Sequence, residues 1–158
     1  MKEISINYGT IHATFLAQKL ILVELQNNFE FKIINCQTDN TGNLILLNIK
    51  INNDFTITLI NIYAPNTDDP DFFINVKDLI LQSSSDYCIL CGDFNLVLNP
   101  QLDSMNYVNL NNPSSRKVVL NMIENLNLVD TFRHFCPDKR RYTWRKSNPV
   151  KQARLDYF

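Results

Sequence analysis

Apolar residues in the first half of the chain come in short runs rather than helical stripes. Residues 20–25, 29–36, 44–51 and 55–63 are rich in Ile, Val, Leu, Thr and Phe. Turn-forming stretches such as Thr38-Asp39-Asn40-Thr41-Gly42 and Asn52-Asn53-Asp54 lie between them, which predicts consecutive strands in an antiparallel meander. Phe55, Ile57 and Leu59 alternate with Thr56 and Thr58 until Asn61 breaks the pattern, the period-two signature of a half-buried strand.

After Pro65 the periodicity changes. Asp68-Asp69-Pro70-Asp71 is a helix-start signal, and Phe72, Phe73, Val76, Leu79 and Ile80 then share one helical face. Residues 87–90 are a short apolar run that fits a buried strand. Residues 114–126 place Val118, Val119, Met122, Ile123 and Leu126 at helical spacing, and the tail returns to strands at 142–144 and 155–158. Strands, helix, strand, helix, strands predict an α+β or α/β fold of layered sheets with helices outside. The chain carries no internal repeat, and its many asparagines are dispersed rather than low-complexity.

Composition narrows the class. A chain of 158 residues with 45% hydrophobic residues and a net charge of −1 is long enough for one packed domain and too apolar for a disordered one. No run approaches the roughly 18 apolar residues that span a bilayer, so no membrane role is expected. The first fifteen residues lack the basic start and apolar core of a secretory signal. Together with only four cysteines (Cys36, Cys88, Cys91 and Cys136), this predicts reduced thiols and an intracellular, nuclear or cytoplasmic, setting. Cys88 and Cys91 have the spacing of half a zinc site, but three residues apart on a strand their thiols point to opposite faces, so core cysteines explain them better. Glycine is scarce, at three residues.

The near-neutral charge is a cancellation. Residues 1–113 hold five Lys/Arg against twelve Asp/Glu, a net of −7, whereas residues 114–158 hold ten against four, a net of +6. The surplus is densest between Arg133 and Arg154, where Lys139, Arg140, Arg141, Arg145, Lys146 and Lys151 alternate with Tyr142 and Trp144. Basic side chains interleaved with aromatics suit a phosphate backbone and unstacked bases; a solvated surface loop has the same composition.

Three segments carry candidate chemistry. In Cys91-Gly92-Asp93-Phe94-Asn95, Asp93 and Asn95 are two apart and would project together from a strand end, a carboxylate to take a proton from water beside an amide to hold it. The alternative is a turn in which both only cap backbone groups. In Asn61-Ile62-Tyr63-Ala64-Pro65-Asn66, the Tyr63 hydroxyl and Asn66 amide could donate to a phosphate oxygen, or simply pack and turn. In Tyr142-Thr143-Trp144 with Arg154-Leu155-Asp156-Tyr157-Phe158, Asp156 lies in an otherwise apolar strand, where it needs a partner if buried and none if it faces solvent from an edge.

In this order, the three segments resemble the exonuclease–endonuclease–phosphatase superfamily, most closely the endonuclease domain of LINE-type (non-LTR) retrotransposons. The likeness includes Val97-Leu98-Asn99-Pro100, Leu102-Asp103, Ser115-Arg116-Lys117, Leu128-Val129-Asp130 and Phe132-Arg133, and runs from about Leu20 to Phe158. It implies a DNase I-like four-layered sandwich of two packed β-sheets flanked by helices, with the site at one rim, and Mg²⁺-dependent hydrolysis of a DNA phosphodiester. It assigns Asp93 to deprotonating water, Asn95 to orienting that water and the phosphate, Tyr63 and Asn66 to the phosphate, and Asp156 to orienting a catalytic histidine. Thr143 and Arg145 are expected on the substrate side, with no small-molecule cofactor.

Two elements of the resemblance have no counterpart. The metal-ligand Glu should precede the matched region; Glu24 belongs to a later strand of the family order, and Glu3 lacks the apolar strand that should lead into it. The catalytic His should follow Phe158, while His12 and His134 have no adjacent Asp. The expectation is therefore residues 1–19 unmatched and 20–158 an incomplete domain, without metal ligands of its own, weak or inactive alone, and completed where needed by another chain. The competing expectations are a non-catalytic nucleic-acid-binding remnant using residues 133–154 and, ranked lower, a sugar- or lipid-phosphate phosphatase.

Overall fold

The computed structural model describes residues 2–7, 10–15, 31–52, 54–107 and 109–158, the first two stretches as backbone alone. Strand expected at residues 20–25, with Glu24, lies outside the described residues, as does the side chain of His12. The fold is mixed α and β, with a five-stranded sheet, a three-stranded sheet and a separate two-stranded pair of β1 (Lys2–Asn7) and β2 (Thr10–Phe15). Chain contacts divide it into two compact units, Met1–Tyr63 with Gln82–Cys91 and Ala64–Leu81 with Gly92–Phe158.

In the first unit β3 (Phe31–Thr38), β4 (Leu44–Ile51) and β5 (Phe55–Tyr63) form the expected antiparallel meander. The β3–β4 turn is held by Asp39, whose Oδ1 accepts from the backbone N–H of Asn43 at 2.7 Å and of Leu44 at 3.1 Å. β4 is buried on both faces, with Leu44, Ile45, Leu46, Leu47 and Ile49 all in the core. This changes the reading of its neighbour. The alternation marked Phe55, Ile57 and Leu59, yet the most buried side chains of β5 are Thr58, Ile60 and Ile62. Ile57 and Leu59 pack half-buried against Ile45, Leu47 and Ile49 on the other face. A sheet with both faces covered removes the polar side that period-two reasoning needs. Thr58 is tolerated inside because its hydroxyl bonds Asn48 at 2.9 Å and Ser83.

The second unit begins where β5 ends. Asp69 caps α1 (Pro70–Gln82) through a bond from Phe72 N at 3.1 Å, and the helix buries Phe73 and Val76 of its predicted face. β6 (Tyr87–Asp93), whose residues 87–91 belong to the first unit, extends three residues past the expected run, so that Gly92 and Asp93 pair antiparallel with Tyr157 and Asp156. α2 (Pro100–Asp103) and β7 (Ser104–Met105) follow, then α3 (Pro113–Asn125), which buries Ser115, Val119 and Met122. The short α4 (Thr131–Phe135) is capped by Asp130, and β8 (Trp144–Ser147) and β9 (Val150–Ala153) form a hairpin with a cis Asn148–Pro149 bond in its turn.

β10 (Asp156–Tyr157) completes a sheet of order β10-β6-β5-β4-β3, while β7, β9 and β8 make the three-stranded sheet. Phe94 anchors this unit's core, stacked on Phe73 at 5.9 Å and edge-on to Tyr157 at 5.2 Å. Val97, Ala153 and Leu155 form an adjoining buried cluster. Among the described residues no helix is long and apolar enough to cross a membrane.

Candidate functional site

Asp93 ends β6 directly after Gly92, whose φ of 124° is open to glycine and strained for any residue with a Cβ. The chain then leaves the strand. Asn95 has a left-handed backbone (φ 50°), and its N–H donates to Asp93 Oδ1 at 2.9 Å, an Asx turn. Asp93 and Asn95 therefore do not project side by side as strand spacing suggested. Asn95 is only 7% exposed, and its Nδ2 donates to the Ala64 carbonyl at 2.7 Å. Ala64 N–H returns a bond to the Asp93 carbonyl at 2.8 Å, which staples the segment after β5 to the segment after β6.

Two asparagines that the sequence did not single out close the arrangement. Asn112 is buried and also left-handed (φ 52°), and its Nδ2 donates to the carbonyls of Asn95 at 2.9 Å and Asn66 at 3.4 Å. Asn111 Nδ2 adds a second bond to the Asn95 carbonyl at 2.7 Å. An Asn-Asn-Pro stretch before a helix reads as an ordinary helix start, and only the left-handed geometry turns the carboxamide inward.

On the other side of Asp93 lies Asp156, its register partner across β6 and β10. Asp156 is exposed on the end strand of the sheet, so the desolvation that its apolar neighbours suggested does not arise. Its backbone N–H, and that of Leu155, donate to Thr143 Oγ1 at 3.3 and 3.0 Å. Thr143 thus bonds the chain entering β10 with its side chain, while its N–H donates to the Ala153 carbonyl at 3.0 Å; strand β8 starts at Trp144 rather than Tyr142.

Asn66, Asn95, Asp93, Asp156 and Thr143 are therefore joined by hydrogen bonds and one strand pairing, all inside the second unit. Tyr63 belongs to the first unit, where it packs half-buried against the Ile45–Leu47–Ile49 cluster. Arg145 is exposed on β8, opposite Gln152.

β10 is held by a buried ionic cluster. Asp103, fully buried, accepts from Arg154 Nε at 2.9 Å, Arg154 Nη2 at 3.1 Å, Asn99 N–H at 3.1 Å and Arg133. Arg154 also pairs with Asp130 and lies over the Tyr157 ring at 4.4 Å. Burial is the largest influence on Asp130 and opposes its charge, but the bonds from Arg154 and Arg133 N–H and the charges of both arginines together outweigh it and hold the carboxyl below its usual range. Burial pushes the Tyr157 phenol up; its hydroxyl accepts from Leu98 N–H at 2.8 Å and can donate to the Arg154 carbonyl at 2.9 Å.

This cluster corrects the picture of the basic stretch, because its end residues Arg133 and Arg154 are committed internally. Lys139, Arg140, Arg141, Arg145 and Lys146 are exposed, and Lys151 sits over the Tyr107 ring at 5.6 Å. Trp144, 38% exposed, meets the same ring edge-on. His134 is exposed on α4, as a surface histidine should be. Cys88 and Cys91 lie half-buried on β6, and burial pushes both thiols up.

Asp93 and Asp156 offer two carboxylates to a cation. Among the described residues, no group of three or more His, Cys, Asp or Glu side chains gathers to hold one. No protein-family model matches the chain.

Proposed function

We propose that this chain is an endonuclease-like domain of the retroelement kind, whose site engages and slowly cuts a DNA phosphodiester. The observation that supports this reading is the meeting of four separate segments, at Asn66, Asp93–Asn95, Thr143 and Asp156, in one bonded arrangement. In this reading the Asp93 carboxylate takes the proton of an attacking water, and Asn95 acts from a buried position by fixing the turn that presents Asp93. In this reading Thr143 and Asn66 contact the phosphate. Magnesium remains the expectation of the resemblance.

A supercoiled-plasmid nicking assay with Mg²⁺ tests this. Slow nicking that disappears in Asp93→Ala is the expected result. Nicking that survives in Asp93→Ala contradicts the site.

A non-catalytic nucleic-acid-binding role is the second reading, favoured by the exposed Lys139, Arg140, Arg141, Arg145 and Lys146. Salt-sensitive DNA binding with no nicking at any chain concentration selects it over the first.

A further inference from the structure

Asn112 uses both protons of its carboxamide on two main-chain carbonyls, those of Asn95 at 2.9 Å and Asn66 at 3.4 Å. These belong to the two loops that carry the phosphate-side candidates. The two loops leave neighbouring strands, β5 and β6, and are stapled by the bonds of Asn95 Nδ2 to the Ala64 carbonyl and of Ala64 N–H to the Asp93 carbonyl; Asn112 adds a further tie to both from the start of α3. Asn112 itself is fixed. It is 8% exposed, it is left-handed, and it directly precedes Pro113, the first residue of α3.

The residue does not serve the helix in the usual way. Asn112 occupies the N-cap position of α3 without making a side-chain cap bond. Asp68 caps the helix instead, its carboxylate accepting from Ser114 N–H at 3.0 Å, Ser115 N–H at 2.8 Å and the Ser115 hydroxyl at 2.8 Å. A residue type that commonly caps helices has thus been released from capping and aimed at the candidate site.

We propose that Asn112 is a positioning residue of this site: it holds the Asn66 loop and the Asn95 turn on one rigid anchor, so that Asp93 and Asn66 keep a fixed spacing toward a phosphodiester. The role rests on the phosphodiester reading above. An amide is the required chemistry, because only a double donor serves two carbonyls at once. A carboxylate of the same shape would face both carbonyls as an acceptor.

The test compares Asn112→Gly with Asn127→Gly in the full chain. Both sites are left-handed, so glycine keeps the backbone at each, but Asn127 lies beyond the far end of α3. Amide hydrogen exchange is read at Asn95 and Ala64, whose N–H groups bond Asp93, and at Val119 in the middle of α3. Binding of a short duplex oligonucleotide is measured by fluorescence anisotropy on the same samples.

Asn112→Gly should speed exchange at Asn95 and Ala64 by about tenfold, the order expected for one buried hydrogen bond, while leaving Val119 unchanged. Its oligonucleotide affinity should fall several-fold, whereas Asn127→Gly should match the parent in both readouts. Equal exchange at Asn95 and Ala64 in the two variants overturns the lock. Faster exchange with unaltered affinity overturns the positioning role and leaves a structural clamp. A parent chain that binds no oligonucleotide overturns the phosphodiester reading and the positioning role with it, while the exchange comparison still decides the lock.

Discussion

Asp93 and Asp156 are direct register partners across two antiparallel strands, β6 and β10. Side chains so paired lie on one face with their Cβ atoms about 5 Å apart, and like charges there repel. Asp156→Asn should therefore raise stability at neutral pH by up to about 0.5 kcal/mol, a small gain because Asp156 is exposed and screened. Urea melts at low salt check it; a loss of stability would show that Asp156 has a stabilising partner and is not held for function.

The ionic cluster behind β10 makes a larger prediction. Asp103 is fully buried between two arginines. Asp103→Ala leaves Arg154 buried without that partner and should cost about 3–5 kcal/mol in a denaturant melt. Replacing both members, Asp103→Leu with Arg154→Met, should cost less than the sum of the single changes, because no charge is then stranded.

Much of the meander was legible because β-branched runs and Asx-rich turns are local signals. β4 and β5 match their expected bounds, residues 44–51 and 55–63. The inward face of β5 was not legible, because burial of β4 on both faces is a property of the assembled sheet. The bonded arrangement around Asp93 was half legible. Asp93, Asn95, Asn66, Thr143 and Asp156 could be marked, but the Asx turn after Gly92 and the inward carboxamide of Asn112 depend on left-handed backbone. The scarcity of glycine belongs to the same story. Among the described residues, the non-glycine positions with positive φ are all asparagine: Asn52, Asn95, Asn106, Asn112 and Asn127. Asparagine tolerates that region better than other residues with a Cβ, so it stands where glycine often would.

Asp68 predicts an acid dependence. Its carboxyl is lowered from 3.8 to about 2, chiefly by the backbone bond from Ser115. A depressed folded-state value means that the contribution is complete above 3.8 and is lost as pH falls through about 2. Asp68→Asn should accordingly show a shallower fall of urea midpoint between pH 4 and pH 2 than the parent chain. Identical slopes would show that the carboxylate does not cap α3 in solution.

The basic hairpin predicts a division among its cations. If β8 meets a phosphate backbone, Arg145→Ala and Lys146→Ala should each reduce the slope of log K against log salt by up to about 1 without altering stability. Arg133→Ala should do the reverse, lowering stability through Asp103 and leaving the salt slope unchanged. Salt titrations of DNA binding paired with melts separate the two groups.

The most direct measurement of the proposed phosphodiester site is an amide chemical-shift titration of the isotopically labelled chain with a short DNA duplex. The largest shifts should fall at Asn66, Asp93, Asn95, Thr143 and Asp156. Shifts confined to residues 139–146, with none at those five, would contradict the site.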